Sequence, residues 1–428
     1  MKNFRYYIFW LFDLIKGGKI KKHFIEIKNS FENLEYNKNS HNQNLINILS
    51  YAKNNSEFYK NITGSSLKDF PIIDKNIIIQ NYEEIFSKEY FEIKDTLRVM
   101  STSGSSGTPF RIHQNKEKVE RNQADLLFFY KIGNYNIGDR MYFIRIWNSI
   151  NKKNFFSSFK ENFKMFDTSD LSYNGAERLK NVMLKDNNSK VILGYASSFT
   201  ALMNHYDANS NIKWNIKSII TGAEELPLMV KEKMLKVFRC PVMSRYSNQE
   251  NGILAQQPIT GEDYFEINEG SYYFEFLKVN SDEPAQEDEI ARIVITDFFN
   301  KAVPIIRYDT GDLAKFTYIN GRKVITSIEG RKIDMLRNNL NEKISPHIIT
   351  NLMWKFPEVK EFQLIQHSLE KVDFYISIVE KDTEISVLEK NIQNELYNIF
   401  KNTVEIHIVD SIPLEKSGKR KYIKSLIS

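Results

Sequence analysis

A run of glycine and hydroxyl side chains has the composition to bind phosphate: Thr102-Ser103-Gly104-Ser105-Ser106-Gly107-Thr108-Pro109. Glycine lets the backbone approach an anion closely, and serine and threonine donate hydrogen bonds without carrying charge. Apolar residues with a strand-like pattern precede the run (Leu97, Val99) and follow it (Phe110, Ile112). The pattern predicts a phosphate-binding loop, although a hydroxyl-rich hairpin loop has a similar composition. It is not a Walker loop, because no Gly-Lys-Ser/Thr follows the glycines.

Four further polar loops carry residue types suited to nucleotide and carboxylate chemistry. They are Thr221-Gly222-Ala223-Glu224-Glu225, Tyr246-Ser247-Asn248-Gln249-Glu250, Ile306-Arg307-Tyr308-Asp309-Thr310-Gly311-Asp312 and Pro413-Leu414-Glu415-Lys416-Ser417-Gly418-Lys419. Structural alternatives stay open for each. Glu250 suits the start of a helix, Tyr246 a half-buried core position, Asp312 a turn, and Lys419 a solvated basic tail.

Composition restricts the class of protein. The chain has 428 residues, of which 42% are hydrophobic and 26% charged, so we expect two or three folded domains. The net charge of +5 is small for this length and gives no reason to expect nucleic acid as a partner. Cys240 is the only cysteine, which fits a reducing cytoplasm. The seven histidines lack the spacing of a zinc site.

Strand and helix patterns alternate between residues 141 and 243, which predicts an α/β fold with ligands at the carboxyl ends of parallel strands. Between 262 and 328 the period changes to two, and Asn320-Gly321 is a hairpin signal. After Gly330 the rhythm is that of a small α+β unit. We therefore predict α/β subdomains, a small β-sheet or barrel section and a small α+β C-terminal domain.

The amino terminus contains an aromatic and aliphatic run, Tyr6 to Ile15, with basic residues on both sides. Ten residues are too few to span a bilayer, and Asp13 interrupts the run. No signal-peptide cleavage site follows. Two interpretations of a basic-aromatic helix within residues 1–25 remain: it packs on the main domain, or it lies on an anionic membrane surface.

The order and spacing of the five loops resemble the adenylate-forming superfamily of acyl-CoA synthetases, adenylation domains and luciferases. The resemblance runs from about Pro71 to Lys419. It is strongest to the phenylacetate-CoA ligase branch, which includes adenylate-forming proteins of capsule and cell-surface polysaccharide loci. It implies a ligase that uses ATP and Mg²⁺ to activate a small carboxylic acid, with CoA or a sugar amine or hydroxyl as acceptor.

The resemblance also implies an ATP- and acid-binding domain at residues 1–329 and a mobile C-terminal lid at 330–428, and it allows a homodimer. It assigns the pyrophosphate cradle to residues 102–108. Lys419 matches the catalytic lysine, and Glu250 matches the Mg²⁺ ligand. The remaining assignments are adenine and ribose contacts at Gly222, Ala223, Glu224, Tyr246, Asp312 and Arg331, and a substrate pocket at Tyr195, Ala196 and Ser197.

Two departures from the family pattern bear on the second half-reaction. Ser247 and Gln249 replace the glycine and threonine of the usual Tyr-Gly-x-Thr-Glu, and Ile333 replaces the first acidic residue of the hinge. AMP transfer to a hydroxyl and a non-catalytic binding role also remain alternatives. Arg145 and His205 are further candidates to contact the acid or the acceptor, with a structural role as the alternative for both.

Overall fold

The computed structural model describes residues 3–101, 110–145, 147, 154–168, 172–331, 335–344, 346–353, 355–356, 358–378, 384–413 and 422–427. Its α-helices are α1 (Phe4–Ile15), α2 (Lys19–Glu32), α3 (Leu34–Asn55), α4 (Lys75–Gln80), α5 (Tyr82–Ile85), α6 (Lys116–Ile132), α7 (Phe155–Glu161), α8 (Tyr173–Lys185), α9 (Ala196–Met203), α10 (Leu228–Phe238), α11 (Pro346–Met353) and α12 (Ile385–Phe400).

The strands alternate with these helices in the first half and cluster in the second. They are β1 (Arg98–Ser101), β2 (Arg111–Gln114), β3 (Arg140–Arg145), β4 (Phe163–Asp167), β5 (Lys190–Tyr195), β6 (Ile216–Gly222), β7 (Val242–Asn248), β8 (Gly252–Gln256), β9 (Phe265–Ile267), β10 (Tyr272–Lys278), β11 (Ala291–Asp297), β12 (Tyr308–Ile319), β13 (Arg322–Arg331), β14 (Leu336–Arg337), β15 (Lys343–Ile344), β16 (Val359–Gln366), β17 (Val372–Ile378), β18 (Glu405–Ile408) and β19 (Ile423–Ser425).

One large sheet organises the first 331 residues, in the order β10-β11-β12-β13-β9-β8-β7-β6-β5-β3-β4. In this order, neighbouring strands at the end that contains β7, β6, β5, β3 and β4 are parallel. Neighbouring strands at the other end, from β10 to β8, are antiparallel. The two halves join at β7, which pairs with β6 in parallel and with β8 in the antiparallel direction. The predicted α/β class and the antiparallel section are therefore confirmed, and the two sections share a sheet.

The parallel half is covered by helices whose apolar side chains fill a core with the strands. Leu179 of α8, Phe199 of α9 and Met234 of α10 are fully or almost fully buried in this core. Because β3, β5, β6 and β7 run in the same direction, their carboxyl ends lie along one edge of the sheet. The polar loops after β5, β6 and β7 therefore meet at this edge.

The β12–β13 hairpin confirms the Asn320-Gly321 signal. Ile319 pairs with Arg322, so the connection has two residues, and both adopt left-handed backbone angles (φ 51° and 75°). This conformation is that of a type I′ turn, which suits asparagine followed by glycine. The turn fixes the register of β12, the strand that carries Asp312.

Two short strands flank the predicted phosphate-binding loop in the sequence. Its flanking strands β1 and β2 are antiparallel, with Ser101 opposite Arg111. The loop residues 102–109 lie outside the described residues. The Gln114 side-chain amide donates a hydrogen bond of 3.3 Å to the Glu250 carbonyl. The strand that follows the loop is thus tied to the loop that ends in Glu250.

A second sheet near the carboxyl terminus has the order β18-β17-β16-β19 and packs with α11 and α12 around its own core. This is the predicted small α+β unit. β13 of the large sheet extends to Arg331. The domain boundary between 329 and 330 stays a prediction.

The amino-terminal helix α1 is anchored through one face. The Asp13 carboxylate is buried and accepts hydrogen bonds from the backbone N–H groups of Ile20 (3.2 Å) and Lys21 (3.0 Å), at the start of α2. The Trp10 ring contacts Phe24 edge to face at 5.8 Å. Among the described helices, none is both long enough and apolar enough to cross a bilayer.

A buried ion pair ties α6 to the large sheet and gives a testable prediction of stability. Lys118 Nζ lies 2.7 Å from Asp297 Oδ2, and both side chains are fully buried. Asp297→Asn leaves the ammonium group buried without its counter-charge. We expect this change to lower the free energy of unfolding by about 3–5 kcal/mol in urea titrations. The double variant with Lys118→Met should recover much of the loss; equal loss in both would contradict this account.

Candidate functional site

The ends of three parallel strands bring the predicted acid pocket beside the predicted adenine loop. Tyr195, the last residue of β5, lies opposite Gly222, the last residue of β6. Thr221 in turn lies opposite Ser244 of β7, and their hydroxyl oxygens are 3.3 Å apart. The neighbouring strands therefore place the three loops side by side.

Tyr246 and Asp312 come from different halves of the sheet and contact each other directly. The Tyr246 hydroxyl donates a 2.7 Å hydrogen bond to Asp312 Oδ2. Burial, and next the negative charge of Asp312, hold the pKa of Tyr246 well above its usual value. The phenol therefore keeps its proton at neutral pH and holds one carboxylate oxygen, while the other oxygen of a carboxylate can accept from a ligand.

Tyr308 makes the equivalent contact with Glu250. Its hydroxyl donates a 2.8 Å hydrogen bond to Glu250 Oε1. Tyr308 is almost completely buried; burial, followed by the charge of Glu250, raises its pKa well above the usual value. Two protonated phenols thus position two carboxylates. Tyr246 lies in β7 and Glu250 two residues after its end, and their partners Asp312 and Tyr308 both lie in β12.

Sequence reasoning missed Tyr308, although the period of a strand contains the signal. Tyr308, Thr310 and Asp312 alternate along β12, and all three side chains face the end of β7. Asp309 points elsewhere, since Arg292 Nη1 lies 2.7 Å from its Oδ2. Gly311 has a φ of 78°, which only glycine adopts without strain. Of the two aspartates in this motif, Asp309 stabilises the sheet and Asp312 lies in the site.

The Gly222 loop is held in a strained conformation. Ala223 has a φ of 70°, in the left-handed region that costs energy for a residue with a Cβ atom. Glu224 Oε2 accepts a 2.9 Å hydrogen bond from the backbone N–H of Ser197, in the first turn of α9. Helix α9 begins at Ala196, so the predicted pocket residues Ala196 and Ser197 belong to the helix.

Arg145 lies at the same edge of the sheet, and His205 does not. The Arg145 guanidinium is 5.3 Å from the ring centroid of Tyr195, at the carboxyl end of the neighbouring strand. Burial raises the pKa of Tyr195, and Arg145 opposes this shift. His205 follows α9 at the end remote from β5 and contacts Tyr173 edge to face. Of these two candidates, Arg145 is the one that lies beside the predicted acid pocket.

Two groups of predicted site residues fall outside the described part of the chain. These are the cradle residues 102–108 and Lys419. Arg331 is placed by its backbone, which pairs with Asp312 across β12 and β13. The Lys419 segment is flanked by Ile412, whose N–H donates to Glu361 of β16, and by β19, which also pairs with β16.

The Asp312 contacts give a prediction for nucleotide binding. We expect Asp312→Asn to raise the KM for ATP about 10- to 100-fold with little change in kcat, because the family resemblance assigns Asp312 a charge-assisted hydrogen bond to the ribose, which this change would weaken. Pyrophosphate exchange at varied ATP concentrations measures both constants. Asp309→Asn is the matched control and should reduce stability instead. An unchanged KM in Asp312→Asn would remove Asp312 from the nucleotide site.

Known proteins resemble this chain in sequence and in fold. Residues 336–426 match the family described as the CapK C-terminal domain. Protein CapK of Staphylococcus aureus is 24% identical over 411 residues, covering 89% of this chain and 87% of CapK. The structure of 2-hydroxyisobutyryl-CoA ligase in the postadenylation state aligns with a TM-score of 0.72 at 13% identity, covering 92% and 90% of the two chains. The same ligase in the thioesterification state gives 0.58 at 15% identity, covering 93% of this chain and 91% of the ligase.

The chain therefore resembles Protein CapK in sequence over most of its length, and it resembles the solved CoA ligase in fold. The likeness to the solved ligases shows the fold, with a large N-terminal and a small C-terminal part.

Proposed function

We propose that this protein is an ATP-dependent adenylate-forming ligase that activates a small carboxylic acid as its acyl-adenylate. The observation that carries the proposal is the meeting of β7 and β12 in two hydrogen-bonded pairs, Tyr246 with Asp312 and Tyr308 with Glu250. Asp312 lies 66 positions after Tyr246 in the chain, and the family motifs assign Tyr246, Glu250 and Asp312 to one nucleotide.

The proposed reaction has two steps. An oxygen of the substrate carboxylate attacks the α-phosphorus of ATP, the bond to the bridging oxygen breaks, and pyrophosphate leaves along the loop at 102–108. A thiol, amine or hydroxyl then attacks the acyl carbon, loses its proton, and AMP leaves. Asp312 holds the ribose and Tyr246 contacts adenine. Lys419 offers a positive charge on a flexible stem to the oxygens on which negative charge develops.

The chemistry of Glu250 fits a Mg²⁺ ligand. One carboxylate oxygen accepts the hydrogen bond from Tyr308, which orients the group, and a carboxylate held in this way has a second oxygen to offer a cation. When bound, Mg²⁺ would neutralise charge on the phosphates.

The acid pocket is proposed at Tyr195, Ala196 and Ser197, beside Gly222 and Arg145. Tyr195 provides an aromatic wall, and Arg145 provides a positive charge at the same edge. We propose a phenylacetate-CoA ligase-like enzyme that works in the cytoplasm, with CoA as acceptor or with a sugar amine or hydroxyl in surface polysaccharide synthesis.

A hydroxylamine trap over a broad panel of carboxylic acids tests the proposal, because hydroxylamine converts acyl-adenylates to hydroxamates. We expect one class of acid to give ATP-dependent product together with acid-dependent pyrophosphate exchange. Exchange that requires a hydroxyl acceptor and no acid would instead indicate AMP transfer. Failure to bind ATP would indicate a non-catalytic relative.

A further inference from the structure

We propose that α1 docks this protein on an anionic lipid bilayer. The helix presents an outward face of large apolar side chains, and α7 extends this face with one phenylalanine. The members of this amino-terminal apolar face are 48–77% exposed: Phe4, Tyr7, Leu11, Phe12, Leu14, Ile15 and Phe159.

The apolar face has a fixed direction. Trp10 and Asp13 hold the opposite side of α1 against α2, and the buried Asp13 carboxylate caps the start of α2. Arg5 lies 5.5 Å from the Phe159 ring centroid, and Lys160 lies 5.0 Å from that of Phe12. Since these contacts join α1 to α2 and α7, the exposed rings and aliphatic chains share one surface.

Charge around this face identifies the occupant. Residues 1–25 contain six lysine or arginine residues and one carboxylate, Asp13. The carboxylate is buried at the start of α2, whereas Lys16, Lys19, Lys21 and Lys22 are exposed. An apolar helix face bordered mainly by lysine side chains, with Glu26 of α2 and Glu161 of α7 as carboxylates of the adjoining helices, matches acyl chains below anionic headgroups.

A second copy of the chain fits this surface less well. In a two-fold dimer the same patch meets itself, so the two lysine rims would face each other and repel. The twelve residues of α1 are also too short to span the bilayer, and Trp10 and Asp13 in its second half hold it against α2. A helix that lies in the plane of the membrane–water interface does not need to span the bilayer and does not bring two lysine rims together.

Co-sedimentation of the full chain with sonicated vesicles of 70% phosphatidylcholine and 30% phosphatidylglycerol tests the proposal. We expect binding that weakens in 0.5 M salt and on pure phosphatidylcholine. Leu11→Glu with Ile15→Glu should reduce the partition coefficient at least about tenfold. Leu228→Glu with Leu235→Glu, which places the same two charges on an exposed face of α10, should bind like wild type.

Lys16→Glu with Lys19→Glu changes only the charge and keeps every apolar side chain. This second variant should also weaken binding to the anionic vesicles. It tests the proposal even if Leu11→Glu with Ile15→Glu misfolds. Absence of wild-type binding, or equal binding of wild type and both α1-region variants, would overturn the proposal. So would a dimer in solution that Leu11→Glu with Ile15→Glu converts to a monomer, because the face would then join two copies.

Discussion

Lys419→Ala should slow acyl-adenylate formation by about a hundredfold to a thousandfold while ATP still binds. The lysine is proposed to contact the carboxylate and α-phosphate oxygens as charge moves between them, so its contribution belongs to the transition state and not to the ground state. Stopped-flow or quenched measurement of acyl-adenylate in a single turnover gives the rate directly. Equilibrium binding of ATP gives the ground-state affinity of the same variant.

The matched control is Lys424→Ala, which removes an exposed lysine from β19, five residues further along the same basic segment. This control should adenylate at the wild-type rate. If Lys419→Ala kept near-normal single-turnover adenylation, the position of the catalytic lysine in the carboxyl-terminal motif would be wrong. A loss of ATP affinity without a change in rate would likewise place the lysine in ground-state binding.

Much of the fold is encoded in local patterns that can be recognised without the structure. The alternating side chains of β10 predict a strand because side chains of a strand point to opposite faces in turn, whereas β11 is buried along its whole length. Asn320-Gly321 predicts its hairpin because both positions need left-handed backbone angles. The meeting of the β5, β6 and β7 loops follows from the shared direction of parallel strands.

The contacts within the site depend on the pairing register of the strands, which cannot be obtained from the sequence alone. Tyr308 reaches Glu250 from β12, whose pairing with β11 has an irregularity between Arg292 and Val294. The edge strand β4 is weakly marked in the sequence because it has five residues and only Phe166 among them is buried. The outward direction of the apolar face on α1 depends on the Asp13 cap, which a helical pattern alone does not reveal.

Glu250→Gln should reduce the maximal adenylation rate by about a hundredfold and raise the Mg²⁺ concentration needed for half-maximal activity. Glutamine keeps an oxygen that can accept the Tyr308 hydrogen bond, so local geometry is retained while the negative charge is lost. Titration of pyrophosphate exchange with Mg²⁺ at saturating ATP and acid measures both quantities.

Tyr308→Phe separates orientation of Glu250 from its charge. The ring remains in the core and only the hydroxyl is removed, so the carboxylate stays but loses the hydrogen bond that fixes it. We expect a rate loss of about three- to tenfold with a smaller shift in Mg²⁺ dependence, since positioning contacts contribute less than ligand charge. If Glu250→Gln and wild type required the same Mg²⁺ concentration, Glu250 would act on the fold of the β7 loop and another carboxylate would have to hold the cation.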